Sequence, residues 1–311
     1  MTKGKTLWQG LAGGMLRLMG RLPLSFHHAM AHVTGWFVRV VVRYRRDVVK
    51  DNLEKSFPEK SAAELKSIEK KFYAHFGRIF TEALWFGSCK GDRGRKRLKS
   101  SHIVEIANPE EFNRIIRDNR EVMILQSHAG NWELIGGILN YTYGEPLLIT
   151  THTFAITYLP LHNAFWDTFM GENRQAPVAD MDFTGYIPSH KIVRHVQEHA
   201  GKKYCYSFIT DQFPYSYSHK HMVHFMNRET PTMTGGAALA CRMDMAVLYL
   251  RFAYREDGGY RMEFVPITEH AGQMSPMDIM KKYYNLLEED LRKQPWNYLW
   301  THKRWKGKDY S

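Results

Sequence analysis

The pattern of apolar and polar positions around residue 128 predicts a buried strand, a polar loop and a helix. Residues 122–125 form a short apolar run that is typical of a buried strand. Residues 134–139 form a second apolar run, and Asn131 stands before it at a suitable capping position. We therefore expect His128 on the strand-to-helix loop and Glu133 in the first helical turn.

Similar patterns predict further strands and helices. Short apolar runs predict strands at residues 146–150, 204–210, 246–250 and 262–266. Ser61 and Glu64 form a capping box that opens a helix. Residues 189–201 predict a helix that ends at a glycine, and residues 284–292 predict a C-terminal helix.

Residues 1–50 combine apolar groups with scattered basic residues, and no apolar run reaches the roughly 18–20 residues that a membrane-spanning helix needs. Two interpretations remain. One is an amphipathic helix pair packed on the rest of the chain. The other is an interfacial hairpin in the membrane, with Trp8 and Trp36 at headgroup depth. In the second, the nearby basic residues would contact anionic lipid: Arg39, Arg43, Arg45, Arg46 and Lys50.

Composition and charge narrow the class of protein. The chain has 311 residues, 44% of them hydrophobic, and a formal net charge of +11. A positive balance suits nucleic acid, anionic lipid or an acidic protein partner. Cys89, Cys205 and Cys241 are widely separated and form neither a metal motif nor a disulfide framework, which favours a reducing compartment.

His128 and Glu133 are candidates for a general base and the acid that orients it. A carboxylate beside an imidazole fixes its tautomer and stabilises the imidazolium as the ring takes a proton. Five steps along a regular helix rotate by about 500°, so the two side chains converge only if His128 lies on the loop. By itself, however, His-x4-Glu occurs by chance in many chains.

A second histidine motif is a weaker candidate. His195-Val196-Gln197-Glu198-His199 matches an inverted zinc-protease motif. The flanking basic residues favour a solvated helix face, because short motifs often match by chance. We therefore predict no metal site.

Two segments near the C-terminal half add candidate binding residues. Asp211 and Gln212 follow the strand predicted at 204–210, and α/β folds place ligands at such strand ends. Residues 295–306 are aromatic and basic, but no recognised nucleic-acid module accompanies them. We expect aromatic packing with interfacial lysines there, and no nucleic-acid partner.

The string His128-Ala129-Gly130-Asn131-Trp132-Glu133 resembles the signature of the bacterial lipid A biosynthesis acyltransferases, the late or secondary acyltransferases. Ala129 replaces an aromatic residue that is usual in that family. Further blocks resemble the family at residues 163–174, 225–240 and 295–305, with Met226-Asn227 in place of Phe-Gly. The resemblance extends from about residue 7 to residue 306.

The resemblance implies an α/β acyltransferase fold, with a mixed, mostly parallel sheet flanked by helices as in glycerolphosphate acyltransferases. It implies membrane-associating helices over residues 1–50 and a single domain over residues 51–311. The expected reaction moves a fatty acyl chain from an acyl carrier protein thioester to a hydroxyl of a lipid A precursor, at the cytoplasmic face of the inner membrane. His128 would take the hydroxyl proton, and no cofactor, metal or covalent acyl-enzyme would be needed.

The site residues that follow from this resemblance fall into two groups. The catalytic residues are His128 and Glu133. The substrate-binding residues are Asn131, Trp132, Arg174, Asp211, Gln212 and Thr234.

Four alternatives stay open at this stage. Ser127 is a conceivable nucleophile, although no Gly-x-Ser-x-Gly pattern surrounds it. The basic segment 90–99 is either a solvated loop or a surface for acyl carrier protein or lipid phosphates. The acceptor is alternatively another glycolipid, phospholipid or aminolipid. The last alternative is a non-enzymatic membrane or nucleic-acid-binding protein, and the intact His128 and Glu133 argue against it.

Overall fold

The computed structural model describes residues 7–118, 121–161, 163–214 and 221–305. The α-helices are α1 Leu7–Gly20, α2 Leu24–Val40, α3 Arg46–Ser56, α4 Ala62–Phe86, α5 Gly91–Ser100, α6 Pro109–Arg117, α7 Ala164–Arg174, α8 Ile192–Glu198, α9 Gly235–Arg242 and α10 Pro276–Lys293. The strands are β1 Val104–Ile106, β2 Val122–Gln126, β3 Phe154–Tyr158, β4 Tyr186–Pro188, β5 Cys205–Ile209, β6 Met222–Phe225, β7 Arg228–Pro231, β8 Ala246–Tyr254 and β9 Tyr260–Thr268.

Seven strands form one mixed sheet in the order β1-β9-β8-β2-β5-β3-β4. All neighbours pair in parallel except β8 and β9, which are antiparallel. Strands β6 and β7 form a separate antiparallel hairpin. The predicted α/β fold, with a mostly parallel mixed sheet flanked by helices, is confirmed.

Strand β2 lies at the centre of the sheet and is buried along its whole length. Its side chains alternate between two apolar layers, because successive residues of a strand point to opposite faces. Met123 and Leu125 join one core, and Val122 and Ile124 join the other. A strand covered on both faces shows a continuous apolar run, which is the pattern that residues 122–125 gave in the sequence.

Helices α2 and α4 pack at very close range. A Cβ atom added to Gly35 would lie 2.3 Å from the carbonyl oxygen of Tyr73, and one added to Gly77 would lie 2.4 Å from that of Ala31. Only residues without a side chain allow the two backbones to approach so closely. The second half of the N-terminal segment is therefore packed on a long helix of the α/β domain.

Two predictions of local structure are wrong. Residues 146–150 form no strand, because the Asn113 side chain takes the hydrogen bonds that a neighbouring strand would supply: it donates to the Pro146 carbonyl and accepts from the Leu148 N–H, each at 2.8 Å. The next strand in the sequence is instead β3, which pairs with β5. Of the two interpretations left open for the basic segment 90–99, the loop is wrong. Residues 91–100 form helix α5, since Leu98 is fully buried and Arg97 lies over the Trp85 ring.

Two other predictions need adjustment. The helix after His128 is a 3₁₀ helix, Trp132–Asn140, with Asn131 at its N-cap. The helix predicted at 189–201 is a short 3₁₀ turn, Ser189–Lys191, followed by α8.

Exposed apolar side chains concentrate at the N-terminal end. Of nineteen large hydrophobic side chains that are exposed in the described residues, twelve lie between Leu11 and Tyr44. On α1 they are Leu11, Met15 and Leu18, which share one face of the helix. The Trp8 side chain lies outside the described residues, whereas Trp36 is 59% exposed. None of the helices in the described part is long and apolar enough to cross a membrane.

Candidate active site

The parallel pairing of β2 and β5 brings two loops together. Gln126 pairs with Ile209 at the carboxyl ends of these strands, so His128 and Asp211 each lie two residues beyond the paired positions. The His128 backbone N–H donates to Asp211 Oδ2 at 3.1 Å. The predicted position of His128 on a strand-to-helix loop and of Asp211 at a strand end is confirmed.

The His128 ring is held between two side chains. Its Nδ1 lies 2.8 Å from Asp211 Oδ1, so the Nδ1–H donates to the carboxylate. Nε2 then carries a lone pair, which accepts from the Gln212 side-chain amide at 3.0 Å. The His128 side chain is 12% exposed and that of Asp211 2%. The ring is therefore fixed in the tautomer that a general base needs, with Nε2 as the proton acceptor.

Asp211 is suited to remain ionised. Burial would raise the pKa of its carboxyl, but the His128 charge and the hydrogen bonds from His128 outweigh that effect and hold the pKa below its ordinary value. A charged Asp211 stabilises the imidazolium that forms when His128 takes a proton.

Glu133 has a different partner from the one expected. Arg174 binds it in bidentate fashion: Arg174 Nε lies 2.6 Å from Glu133 Oε2, and Arg174 Nη2 lies 2.7 Å from Glu133 Oε1. The expected direct contact of Glu133 with His128 is not found among the hydrogen bonds and ion pairs of the described residues. The reason is geometric: Asp211 occupies the Nδ1 side of the ring, and the Trp132 ring lies against His128 with centroids 4.8 Å apart. Trp132 Nε1 donates to Glu133 at 3.1 Å, which links the two indirectly.

A cleft of about 250 Å³ lies beside this constellation. Trp132 and Glu133 form part of its wall. Its apolar lining comes from four parts of the chain: Tyr44, Phe76, Ile79, Phe80, Ala83, Met170 and Leu299. Arg45, Thr301 and His302 complete the lining. The cleft is thus mainly apolar, and it lies next to the Trp132 ring that packs on His128.

Comparisons with known proteins decide the family. The family model described as bacterial lipid A biosynthesis acyltransferase matches residues 1–307. The chain belongs to that family. It is 24% identical over 308 residues to the lipid A biosynthesis palmitoleoyltransferase of Escherichia coli (strain K12), covering 96% of this chain and 90% of the relative. The lipid A biosynthesis acyltransferase of Shigella flexneri matches with the same identity and coverage.

Family membership gives the coarse activity. This lipid A acyltransferase is an enzyme that transfers an acyl group in lipid A biosynthesis. The resemblance stated from the sequence is thereby confirmed over nearly the whole chain. The donor, the residues that carry catalysis and the cellular compartment are separate questions.

The two remaining residues that were predicted to bind substrate, Asn131 and Thr234, make different contacts. Asn131 is fully buried; its Oδ1 accepts from the Glu133 N–H at 3.2 Å, and its Nδ2 donates to Glu82 at 2.9 Å. Thr234 stands at the N-cap of α9 without a side-chain capping bond. A Cβ at Gly236 in the same helix would contact Leu125 and Phe208, which places this end of α9 beside β2 and β5.

The buried carboxylate of Glu82 was not predicted from the sequence. It accepts hydrogen bonds from Asn131, Tyr260, Arg78 and His28. Burial would raise the pKa of Glu82, but the hydrogen bonds from His28, Asn131 and Arg78 and the Arg78 charge lower it overall. A signal existed: Glu82 stands between Ile79 and Phe86 on the apolar stripe of α4, where a charged residue needs a buried partner.

Asn297 and His75 were also missed. Asn297 Oδ1 accepts from the Gly130 N–H at 2.9 Å, and His75 Nε2 donates to the Gly130 carbonyl at 3.0 Å. The backbone N–H and the carbonyl of Gly130 are thus both bound by distant parts of the chain. The aromatic packing predicted for residues 295–306 is present around Trp296, which contacts His75 and Tyr254, while Lys306 lies outside the described residues.

The histidine motif at 195–199 is arranged for packing. The His195 and His199 rings stack with centroids 4.1 Å apart, and both contact Tyr204. Glu198 faces outward and pairs with Arg194. The three side chains of the motif do not converge on one point.

Removing the Glu82 charge tests how strongly the loop depends on it. Glu82→Gln leaves Arg78 and His28 without their buried anion, so the free energy of unfolding should fall by about 3–5 kcal/mol. Urea unfolding followed by circular dichroism measures this. Glu198→Gln, which breaks an exposed pair, is the matched control and should cost less than about 1 kcal/mol. Equal small losses in both variants would show that Glu82 does not organise the site.

Proposed function

We propose that this acyltransferase moves a fatty acyl chain from an acyl carrier protein thioester to a hydroxyl of a lipid A precursor, with His128 as the general base. The observation that carries the proposal is the Asp211–His128 pair, which leaves Nε2 as an acceptor beside the apolar cleft. Family membership supports the lipid A precursor as acceptor.

The reaction follows from this geometry. The acceptor hydroxyl replaces the Gln212 amide on His128 Nε2 and gives up its proton as its oxygen attacks the thioester carbonyl carbon. Asp211 stabilises the imidazolium. When the tetrahedral intermediate collapses, the carbon–sulfur bond breaks, and the imidazolium returns the proton to the departing thiolate. An ester and a free thiol result, and no acyl-enzyme forms.

Glu133 is proposed as a positioning residue. Its bidentate pair with Arg174, together with the hydrogen bond from Trp132, fixes the wall of the cleft next to His128. Burial would lower the pKa of Arg174, but the Glu133 charge and hydrogen bonds raise it, so this cation persists at all relevant pH. Arg174 NH1 also donates to the Tyr186 hydroxyl at 3.1 Å, which fastens the wall to β4.

Single and double variants distinguish Asp211 from Glu133. His128→Ala and Asp211→Asn should each lower kcat by about 10²–10⁴-fold in an assay with acyl carrier protein thioester and lipid A precursor. Because Asp211 acts through His128, Asp211→Asn should cost almost nothing further in a His128→Ala background. Glu133→Gln should lower turnover both in the native enzyme and in the His128→Ala variant, because it disturbs the wall of the cleft. Near-native turnover of His128→Ala, with folding intact, would remove the general-base proposal.

Helix α5 is the proposed contact surface for the acidic carrier protein. Arg95 is engaged with Asp92 and Asp180, and Arg97 with Ser88 and the Leu22 carbonyl. Three other basic residues form no ion pair within the described part of the chain: Arg93, Lys96 and Lys99. Their charges are therefore available to a partner.

Charge reversal tests this docking surface. Lys96→Glu with Lys99→Glu should lower kcat/KM for acyl carrier protein thioester at low salt, because complementary charge mainly raises the encounter rate. Added salt should lower the native rate toward that of the variant. Lys202→Glu, a change of an exposed lysine elsewhere, is the control. A direct competition between acyl carrier protein and coenzyme A thioesters with differently labelled acyl chains identifies the donor; preference for coenzyme A would contradict the proposal.

The exposed apolar faces of α1 and α2 support a peripheral or monotopic position on the cytoplasmic face of the inner membrane. Leu11, Met15 and Leu18 are each more than half exposed, and so is Trp36 on α2. Large contiguous apolar surfaces of this kind mark interaction sites rather than ordinary solvent-facing surface.

Replacing this face should release the protein. The triple variant Leu11→Ser, Met15→Ser, Leu18→Ser should bind anionic vesicles at least about tenfold more weakly in flotation assays, because each buried side chain contributes about 1.5–3 kcal/mol. Val193→Ser on α8, which is 48% exposed, is the control and should bind as the native protein does. Unchanged flotation of the triple variant would exclude this face as the membrane contact.

A further inference from the structure

The His128 ring uses both of its nitrogens in hydrogen bonds. Nδ1 donates to Asp211, and Nε2 accepts from the Gln212 side-chain amide at 3.0 Å. A neutral imidazole has one acceptor nitrogen, so Nε2 cannot bind this amide and an acceptor hydroxyl at the same time. The Gln212 amide must therefore leave Nε2 before the base can act, and the proposed steps give it no new partner.

The Gln212 amide can move only a short way, because the backbone on both sides of it is bound. The Tyr298 hydroxyl donates to the Asp211 carbonyl at 3.5 Å, and the Phe213 N–H donates to His302 Nε2 at 3.2 Å. The Gln212 side chain is half-buried and makes no second hydrogen bond within the described residues. It can thus turn about its own single bonds while its backbone stays beside the base.

Other hydrogen-bond donors near His128 are already committed. The Trp132 indole donates to Glu133, and Arg174 donates to Glu133 and to the Tyr186 hydroxyl. Three consecutive backbone N–H groups of the loop donate to side chains: His128 to Asp211, Ala129 to Ser127 and Gly130 to Asn297. Backbone N–H groups often stabilise oxyanions in acyl transfer, but these three are used in the packing of the loop. The Gln212 amide is the donor that the reaction itself releases.

The change at Gln212 and the change at the thioester occur in the same step. When Nε2 takes the hydroxyl proton, its lone pair is used, and it can no longer accept a hydrogen bond. The thioester carbonyl oxygen meanwhile gains the electron pair of the broken π bond and becomes a strong acceptor. The reacting carbon lies about 3–3.5 Å from the attacking oxygen, so its carbonyl oxygen is within reach of a group displaced from Nε2. Such a donor is bound more strongly in the transition state than before it.

We propose that Gln212 is a catalytic residue whose side-chain N–H moves from His128 Nε2 to the thioester carbonyl oxygen and stabilises the oxyanion. The amide donates a hydrogen bond and keeps its proton. The hydroxyl proton goes to Nε2; collapse of the intermediate restores the carbonyl, breaks the carbon–sulfur bond and returns that proton to the thiolate. The inference rests on the proposed acyl transfer and adds a task distinct from the proton transfer at His128.

Replacing the amide tests this role. Gln212→Met has a side chain of similar length without a donor, and Gln212→Glu keeps the shape with a carboxylate. Each should lower kcat about 10²–10³-fold with acyl carrier protein thioester and lipid A precursor, while KM for both substrates stays near the native value. Gln197→Met, at an exposed position of α8, is the matched control and should keep native turnover. Thermal unfolding checks folding, and either folded Gln212 variant decides the matter.

A His128→Ala background separates this role from an effect on the base. An oxyanion donor still stabilises the intermediate when the base is missing, so Gln212→Met should lower the residual rate further by at least about tenfold. If Gln212 only held the His128 ring, the same change would cost nothing further in that background.

A pair of ketones gives a readout that needs no turnover. A long-chain alkyl trifluoromethyl ketone is hydrated in water to a tetrahedral diol, whereas the methyl ketone with the same chain stays trigonal. In calorimetry the native enzyme should bind the trifluoromethyl ketone more tightly. Gln212→Met should lower the ratio of the two affinities at least about fivefold, because only the tetrahedral form loses a hydrogen bond.

Three results would overturn the inference. The first is a native kcat in Gln212→Met. The second is a higher kcat/KM in that variant, which would show that the amide only blocks the base. The third is an unchanged ketone ratio together with no further loss in the His128→Ala background. A native enzyme without acyl transfer would instead contradict the proposed function on which the inference rests. Near-native turnover of His128→Ala with a large loss in Gln212→Met would remove the general base and support the oxyanion donor.

Discussion

The buried Glu82 carboxylate is the interaction on which the site depends most. It accepts hydrogen bonds from four elements at once: α2 through His28, α4 through Arg78, the loop after β2 through Asn131 and β9 through Tyr260. A buried anion is stable only when its lone pairs are occupied, so the four elements must assemble together. Asn131 in turn caps the 3₁₀ helix that begins at Trp132. The loop that carries His128 is therefore held in place by a fully buried charge.

The second constraint is the backbone of the loop itself. Gly130 has a φ of +67°, and a Cβ there would lie 2.5 Å from the Phe252 ring, so no other residue fits without displacement. Its N–H and carbonyl are bound by Asn297 and His75. These contacts fix the direction in which the chain leaves β2. The parallel register of β2 with β5 then places Asp211 at the His128 ring. His128 and Asp211 come from two loops, and their distance is set by sheet geometry rather than by helix spacing.

The difference between local and long-range contacts explains what the sequence could and could not predict. Short-range patterns located β2, β5, the β8–β9 pair and the Asn131 cap, because apolar periodicity and capping chemistry are local. The expected contact between Glu133 and His128 is absent because the partner of His128 comes from a distant part of the chain. The spacing of His128 and Glu133 carries no information on which strand pairs with β2, so it could not point to Asp211 after β5. Residues 146–150 have strand-like apolarity, yet the Asn113 side chain satisfies their backbone from outside the strand. Glu82 was visible only as a charge on an apolar stripe, without any indication of which elements it joins.

The cleft beside His128 and the exposed apolar side chains near α2 share residues. Tyr44 and Phe80 line the cleft beside His128, and both are among the exposed large hydrophobic side chains, at 41% and 49%. Two of the residues that line the cleft thus belong to the set of exposed apolar side chains, and Tyr44 lies shortly after the end of α2. An acyl chain that enters the cleft from this side would pass from one apolar environment to another, without crossing water. On the proposed membrane orientation, the low-dielectric surroundings that such an approach creates would also strengthen the Asp211–His128 pair, because less solvent would screen it.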